Sequence, residues 1–194
     1  MPATFSEFLQ AIINNSELQA TLLVVAVAVA GLIYVLRTHV RRWRSERKVK
    51  KVVHRLGARH IENIRLPDGT GGEVIIDHLL LGRDALLIVG IMRFDGAIFG
   101  GRLTDQWTQV IGRRSFKFDN PNHYLQRQIN AISQVVPGTP VRGWHLFPNA
   151  KFPKDKPDSV LLLGDLKTLP ARPRRGDIPK ELRAAWKQVL DTVS

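Results

Sequence analysis

Apolar positions along the chain change rhythm twice. From Leu18 to Leu36 they are nearly continuous, a 19-residue uncharged run whose centre reads TLLVVAVAVAGLIYVL. As a helix this run would measure about 28 Å, close to the roughly 30 Å hydrocarbon core of a bilayer. Tyr34 stands at one end, where an aromatic ring suits the interface. The flank before the run is acidic, with Glu7 and Glu17, whereas a secretory signal begins with a basic segment and has a shorter apolar region. The pattern predicts one N-terminal transmembrane helix over residues 18–36.

From Arg41 to Leu56 the apolar residues recur at helical spacing (Val49, Val52, Val53, Leu56), and Gly57 ends that helix. The period then shortens. Ile61–Leu66, Glu73–Leu81 and Ala85–Ile91 read as strands, divided by Pro67-Asp68-Gly69 and by Gly82-Arg83-Asp84. The third is almost wholly apolar, as a strand buried on both faces must be. Ala97–Phe99 is a short strand between Gly-containing turns, and Trp107–Ile111 with Ser115–Phe118 forms a hairpin about Gly112-Arg113-Arg114. Asn120 caps a helix with Pro121 in its first turn. Leu125, Ile129, Ile132, Val135 and Val136 carry its apolar side, and Pro137-Gly138 stops it. Val141–Phe147 and Val160–Leu163 are two further strands. A Pro- and Arg-rich stretch, residues 169–179, reads as a linker to a last amphipathic helix, 180–194, with Leu182, Trp186, Val189, Leu190 and Val193 on one face. The order predicts a single α/β (α+β) domain with a mixed sheet flanked by helices, preceded by the membrane helix.

Composition sharpens this. The chain has 194 residues, 29 Lys+Arg, 17 Asp+Glu and no Cys, so disulfides, thiolate metal sites and a Cys nucleophile are excluded. The net charge of +12 points to a polyanion. Ten of the basic residues fall in residues 37–60, directly after the apolar run, with Glu46 as the one acid among them. Two readings of this collar stand. It orients the helix, placing residues 1–17 outside and the rest in the cytoplasm of what reads as a bacterial inner membrane, with Arg37, Arg41, Arg42 and Arg44 against anionic lipid headgroups. Alternatively it contacts nucleic acid.

One constellation carries a resemblance. The stretch IIDHLLLGRDALLIVGIMRFDGAIFG, then Trp107, then Phe118-Asp119-Asn120-Pro121 opening a helix, resembles the nuclease-related domain, NERD. That family is similar to the PD-(D/E)XK, restriction-endonuclease-like nucleases. The likeness runs from about residue 44 to 168. It implies a divalent metal such as Mg²⁺ held by carboxylates, with a Lys near the attacking water, since a hard cation takes oxygen ligands and stabilises charge on phosphorus. The helix Glu of the pattern corresponds to Glu46, and the Asp of Ile-Asp-His is Asp77. The Glu-x-Lys positions on the next strand read Gly90-Ile91-Met92, so neither a ligand nor a Lys is present there. Alternation sends Arg93 to the opposite face, and Asp95 lies in a turn. A Gln of the following helix is replaced by Tyr124, with Gln126 and Gln128 read as lying in other helical phases.

The resemblance therefore implies a degenerate nuclease fold with no catalytic set and no cofactor, unless ligands have migrated. Partners under this reading are the membrane, nucleic acid or another protein. The retained acids also have plain structural readings: Asp77 paired with a base of the first helix, Glu46 with Lys50 at i+4. Arg113, Arg114 and Lys117 are candidate phosphate contacts or a solvated turn. His54, His60, His78, His123 and His145 show no tight metal spacing along the sequence, and His39 sits at the membrane edge. Trp107, Trp144 and Trp186 read as core residues.

Overall fold

A computed structural model describes residues 16–69, 71–167 and 171–193. The expected first 15 residues on the far side of the membrane, and residues 168–170 at the head of the expected linker, lie outside the described residues. So do the side chains of Arg41, Arg42 and Arg44. The chain divides into two compact units, residues 1–44 and 45–194.

Helix α1 (Ser16–Leu56) starts in the first unit, with Glu17 in its first turn, where a negative charge suits the helix dipole. Leu22, Leu23, Val24, Val25 and Val27 are all exposed. This is the one helix among the described residues that is long and apolar enough to cross a membrane.

The second unit starts with the last turns of α1. There Val49, Val52, Val53 and Leu56 are buried, as their spacing predicts. Arg47, Lys48, Lys50, Lys51 and Arg55 are exposed on the rest of the helix surface. Among the described residues nine strands follow, in two sheets. The larger sheet has the order β1 (Arg59–Pro67), β2 (Glu73–Leu81), β3 (Leu86–Ile91), β7 (Val141–Phe147), β9 (Val160–Leu162). β1, β2 and β3 pair antiparallel, and β3–β7 and β7–β9 pair parallel. The smaller sheet has the order β6 (Arg114–Asp119), β5 (Gln106–Ile111), β4 (Asp95–Phe99), β8 (Asn149–Lys151). β8 falls between Phe147 and Val160, where no periodicity marks a strand. It is three residues long, and only its parallel pairing with β4 makes it a strand.

Both faces of the larger sheet are covered. On one, Val49, Val52, Val53 and Leu56 of α1 pack on Leu80, Leu87 and Val89. On the other, α2 (Pro121–Val135) and α3 (Lys180–Val193) pack on Ile76, Leu79, Leu86 and Ile88. The central strand β3 is thus buried on both sides, which its apolar run required. Asn120 caps α2 through the Asn122 amide, and its own amide group donates to the Thr104 carbonyl at 2.7 Å. Leu182, Trp186 and Val189 of α3 are buried in the main core. Arg172, within the Pro/Arg stretch, donates to the carbonyls of Gly57 and Ala58, so this segment is bound to the start of β1.

The smaller sheet closes a third, aromatic cluster of Ile98, Trp107, Phe147 and Val160. A Cβ on Gly100 would lie 2.3 Å from the Trp107 ring. Only glycine admits the fully buried indole at that point.

Candidate functional site

The site is built where β1, β2 and β3 meet the last turns of α1. Strand β2 alternates until Ile76 and then breaks phase. Ile76 and Leu79, three residues apart, join the same core, where strict alternation would put them on opposite faces. Asn63 lies opposite the break and holds a left-handed φ of 54°, a conformation an Asn side chain tolerates. Asp77 and His78 can therefore both line one cavity. That cavity, of about 310 Å³, is bounded by Glu62, Asn63, Asp77, His78, Ile91 and Arg93. A neighbouring cavity of about 330 Å³ shares Glu62, His78, Ile91 and Arg93 and adds Glu46 and His60.

Asp77 is half-buried, and its Oδ2 accepts the Ile91 backbone N–H at 3.3 Å. The partner expected from the first helix is not what holds it. Of its neighbours two places away on β2, Ile75 is 43% exposed while Leu79 is fully buried. Glu46 pairs with Arg93 at 3.0 Å rather than with Lys50. The reason is that β3 ends at Ile91. Beyond it the two-residue period no longer governs, and Arg93 returns to the side from which alternation would exclude it. Both partners are about half exposed, so this pair contributes on the order of 1 kcal/mol or less to stability.

Gly90 pairs in register with His145 of β7. A Cβ built on Gly90 would approach His145 Nδ1 at 3.4 Å and meet nothing else within 4 Å. His145 is 1% exposed, and neither of its ring nitrogens has a hydrogen-bond partner among the described residues. Burial drives its pKa down to about 4. The Pro121 carbonyl, close by without completing a hydrogen bond, and the Asp77 charge oppose this only in part. The imidazole is therefore neutral at pH 7. Met92 donates its backbone N–H to the Leu146 carbonyl, and its side chain packs against the aromatic cluster.

A third feature has only a faint signal in the sequence, the His60-x-Glu62 spacing. His60 and Glu62 alternate onto one face of β1, and His78 lies directly opposite Glu62 across the ladder. Their donor atoms converge, with His60 Nε2 3.0 Å from Glu62 Oε1 and 3.2 Å from His78 Nδ1. His78 is lowered in pKa, by burial first, with Glu62 pulling the other way.

The profile of the nuclease-related domain matches residues 41–148, more than half of the chain. The chain belongs to the nuclease-related domain (NERD) family. A curated relative, an uncharacterized protein of Bacillus anthracis, is 27% identical over 108 residues, covering 53% of this chain and 51% of that protein. The chain thus spans about half the length of the curated relative it matches. No solved structure matches.

Set against the NERD pattern, the two retained acids do not share one role. Glu46 holds Arg93, and Asp77 holds the Ile91 amide. The Glu-x-Lys positions are occupied by bare backbone beside a neutral imidazole and by an apolar side chain in a core. Asp95 opens β4, is exposed, and lines neither cavity that Asp77 and Arg93 share. In the Gln slot, Tyr124 Oη accepts the Ile75 N–H at 2.9 Å and donates to the Ile75 carbonyl. Gln128 donates to that same carbonyl at 2.6 Å. Gln128 is one helical turn after Tyr124 and on its face, so the phase assigned to it from sequence was wrong. It is buried. Arg113, Arg114 and Lys117 are exposed on the β5–β6 hairpin and line none of the cavities described above. Trp107 and Trp186 are core residues, and Trp144 is half-buried.

Proposed function

We propose that this NERD protein is anchored by its N-terminal helix and that its nuclease-type domain binds nucleic acid at the cytoplasmic membrane face without cleaving it. One observation carries the reading. The two positions that would supply a metal carboxylate and a Lys are Gly90, beside a neutral buried imidazole, and Met92, packed among aromatic rings. A phosphodiester placed there would meet neither a metal carboxylate nor a cation from those positions.

Charge supports binding. Residues 45–194 hold 25 Lys/Arg against 15 Asp/Glu, a net +10. The exposed bases at the end of α1 therefore belong to the folded unit as well as to the expected topology signal. A cavity of about 630 Å³ is lined by Arg59, Arg172, Arg174, Arg175, Arg183 and Lys187, with Trp186 beside them. Such a basic recess fits phosphate contacts that are independent of base sequence. The apolar run of α1, exposed throughout its hydrophobic stretch, supports the anchor, and the basic residues that follow it support the inward orientation.

The test is a pair of assays on the full chain in a non-ionic detergent. Retention of DNA or RNA that falls linearly in log K with log salt, and no strand cleavage with Mg²⁺ or Mn²⁺, is the expected result. Metal-dependent cleavage that disappears in Asp77→Ala would overturn the reading, as would the absence of any salt-sensitive retention.

A further inference from the structure

We propose that His60, Glu62 and His78 form a binding site for one divalent transition-metal ion, with zinc as the best chemical fit. The inference stands apart from nucleic-acid binding and from the Glu-x-Lys positions, since Gly90 and Met92 line neither cavity at these residues.

The geometry is the argument. All three donor atoms lie within 4.8 Å of one another. They form a triangle with edges of 3.0, 3.2 and 3.6 Å. Two donors bound at about 2.0–2.1 Å to a tetrahedral ion are about 3.3 Å apart. The triangle is thus one face of such a site without movement of the backbone, and an ion equidistant from the three would sit somewhat less than about 1 Å above their plane.

The backbone supports this placement. His60 and Glu62 are held on one face by strand alternation, and His78 by its register opposite Glu62, all within an eight-pair antiparallel ladder. The ligand rotamers differ in exposure in the way a site with an entry path needs. His60 and His78 side chains are 22% and 15% exposed, and Glu62 is 54% exposed.

The donor set selects the ion. Two imidazoles and one carboxylate suit zinc and its first-row neighbours, whereas Mg²⁺ and Ca²⁺ prefer oxygen throughout. Three protein ligands leave a fourth position for water or a ligand, the arrangement of an open rather than a closed zinc site. His54, at the end of α1, faces His60 edge-on with ring centroids 6.1 Å apart and lines the same cavity. The Arg93 guanidinium beside the site is already paired with Glu46, which limits its repulsion of a cation.

The experiment uses untagged full-length protein in a non-ionic detergent, stripped with a chelator. Zn²⁺ is titrated against a chromophoric competitor, and Co²⁺ serves as a spectroscopic probe. One ion per chain is expected, with the visible absorption of tetrahedral Co²⁺ and no displacement by excess Mg²⁺. His60→Ala/His78→Ala should lower zinc affinity by at least about a hundredfold, beyond the effect of losing an outer partner. Glu62→Gln keeps the side-chain shape and should lower it about tenfold or more. Absence of stoichiometric uptake by the wild type, displacement by Mg²⁺, or undiminished affinity in Glu62→Gln would each overturn the proposal. Because Glu62 is half exposed, that variant decides the matter even if the double variant fails to fold.

Discussion

Replacing His145 with leucine isolates one pH-dependent contribution to stability. His145 is fully buried, and its pKa is held at about 4. In the unfolded chain it would titrate near 6.5. Between those values the unfolded state takes up a proton that the folded state refuses. Stability is therefore complete above pH about 6.5 and falls as the pH drops toward 4. This depression corresponds to about 3 kcal/mol, most of it lost by pH about 4.5. Leucine has a similar volume and forfeits no hydrogen bond, because both ring nitrogens lack partners among the described residues. The measurement is unfolding of the full chain in detergent, followed by the fluorescence of Trp107 and Trp186, at pH about 7 and about 4.5. The wild type should lose about 2–3 kcal/mol more than His145→Leu across that interval. His78, also lowered by burial, is common to both proteins and cancels. Parallel losses in the two proteins would refute the reasoning, as would a His145 ring proton titrating near 6.5 by NMR.

Other outcomes follow from the same structure. Gly90→Glu/Met92→Lys restores the missing pair, and the 3.4 Å approach at Gly90 leaves room for a Cβ. The double variant should gain Mn²⁺- or Mg²⁺-dependent nicking of plasmid DNA and lose about 1–3 kcal/mol of stability as Met92 leaves its cluster. Trp107→Ala empties a fully buried site and should cost about 3–5 kcal/mol, read as a fall in the unfolding midpoint. Arg183→Ala/Lys187→Ala removes two cations from the basic cavity and should lower the slope of log K against log salt by about two. Leu23→Arg/Val27→Arg places two charges in the apolar run, at a cost of about 2.5–3.5 kcal/mol each near the bilayer centre, and should move the protein from the membrane pellet to the soluble fraction.

Much of the fold was legible in the chain. Strands β2 and β7 begin and end where their turn residues predict, because glycine and proline punctuate locally. The cap at Asn120 is equally local. Other features depended on partners remote in sequence. β8 exists only through pairing with β4. Glu46 meets Arg93 because the end of β3 frees Arg93 from strand alternation. Gln128 shares the face of Tyr124 by helical count alone, but only the placement of Ile75 in front of both shows what they hold.

By itself, the sequence determined the apolar helix, the basic collar and the mixed α+β class. Each of these is a matter of residue identity and short-range period. Tertiary structure alone decided which acid meets which base, and that His60, Glu62 and His78 stand within one coordination radius. The His-x-Glu spacing on β1 was a faint signal of that cluster. It became a site only when the ladder set His78 opposite Glu62, and register is set by the whole buried face of a sheet rather than by any three residues.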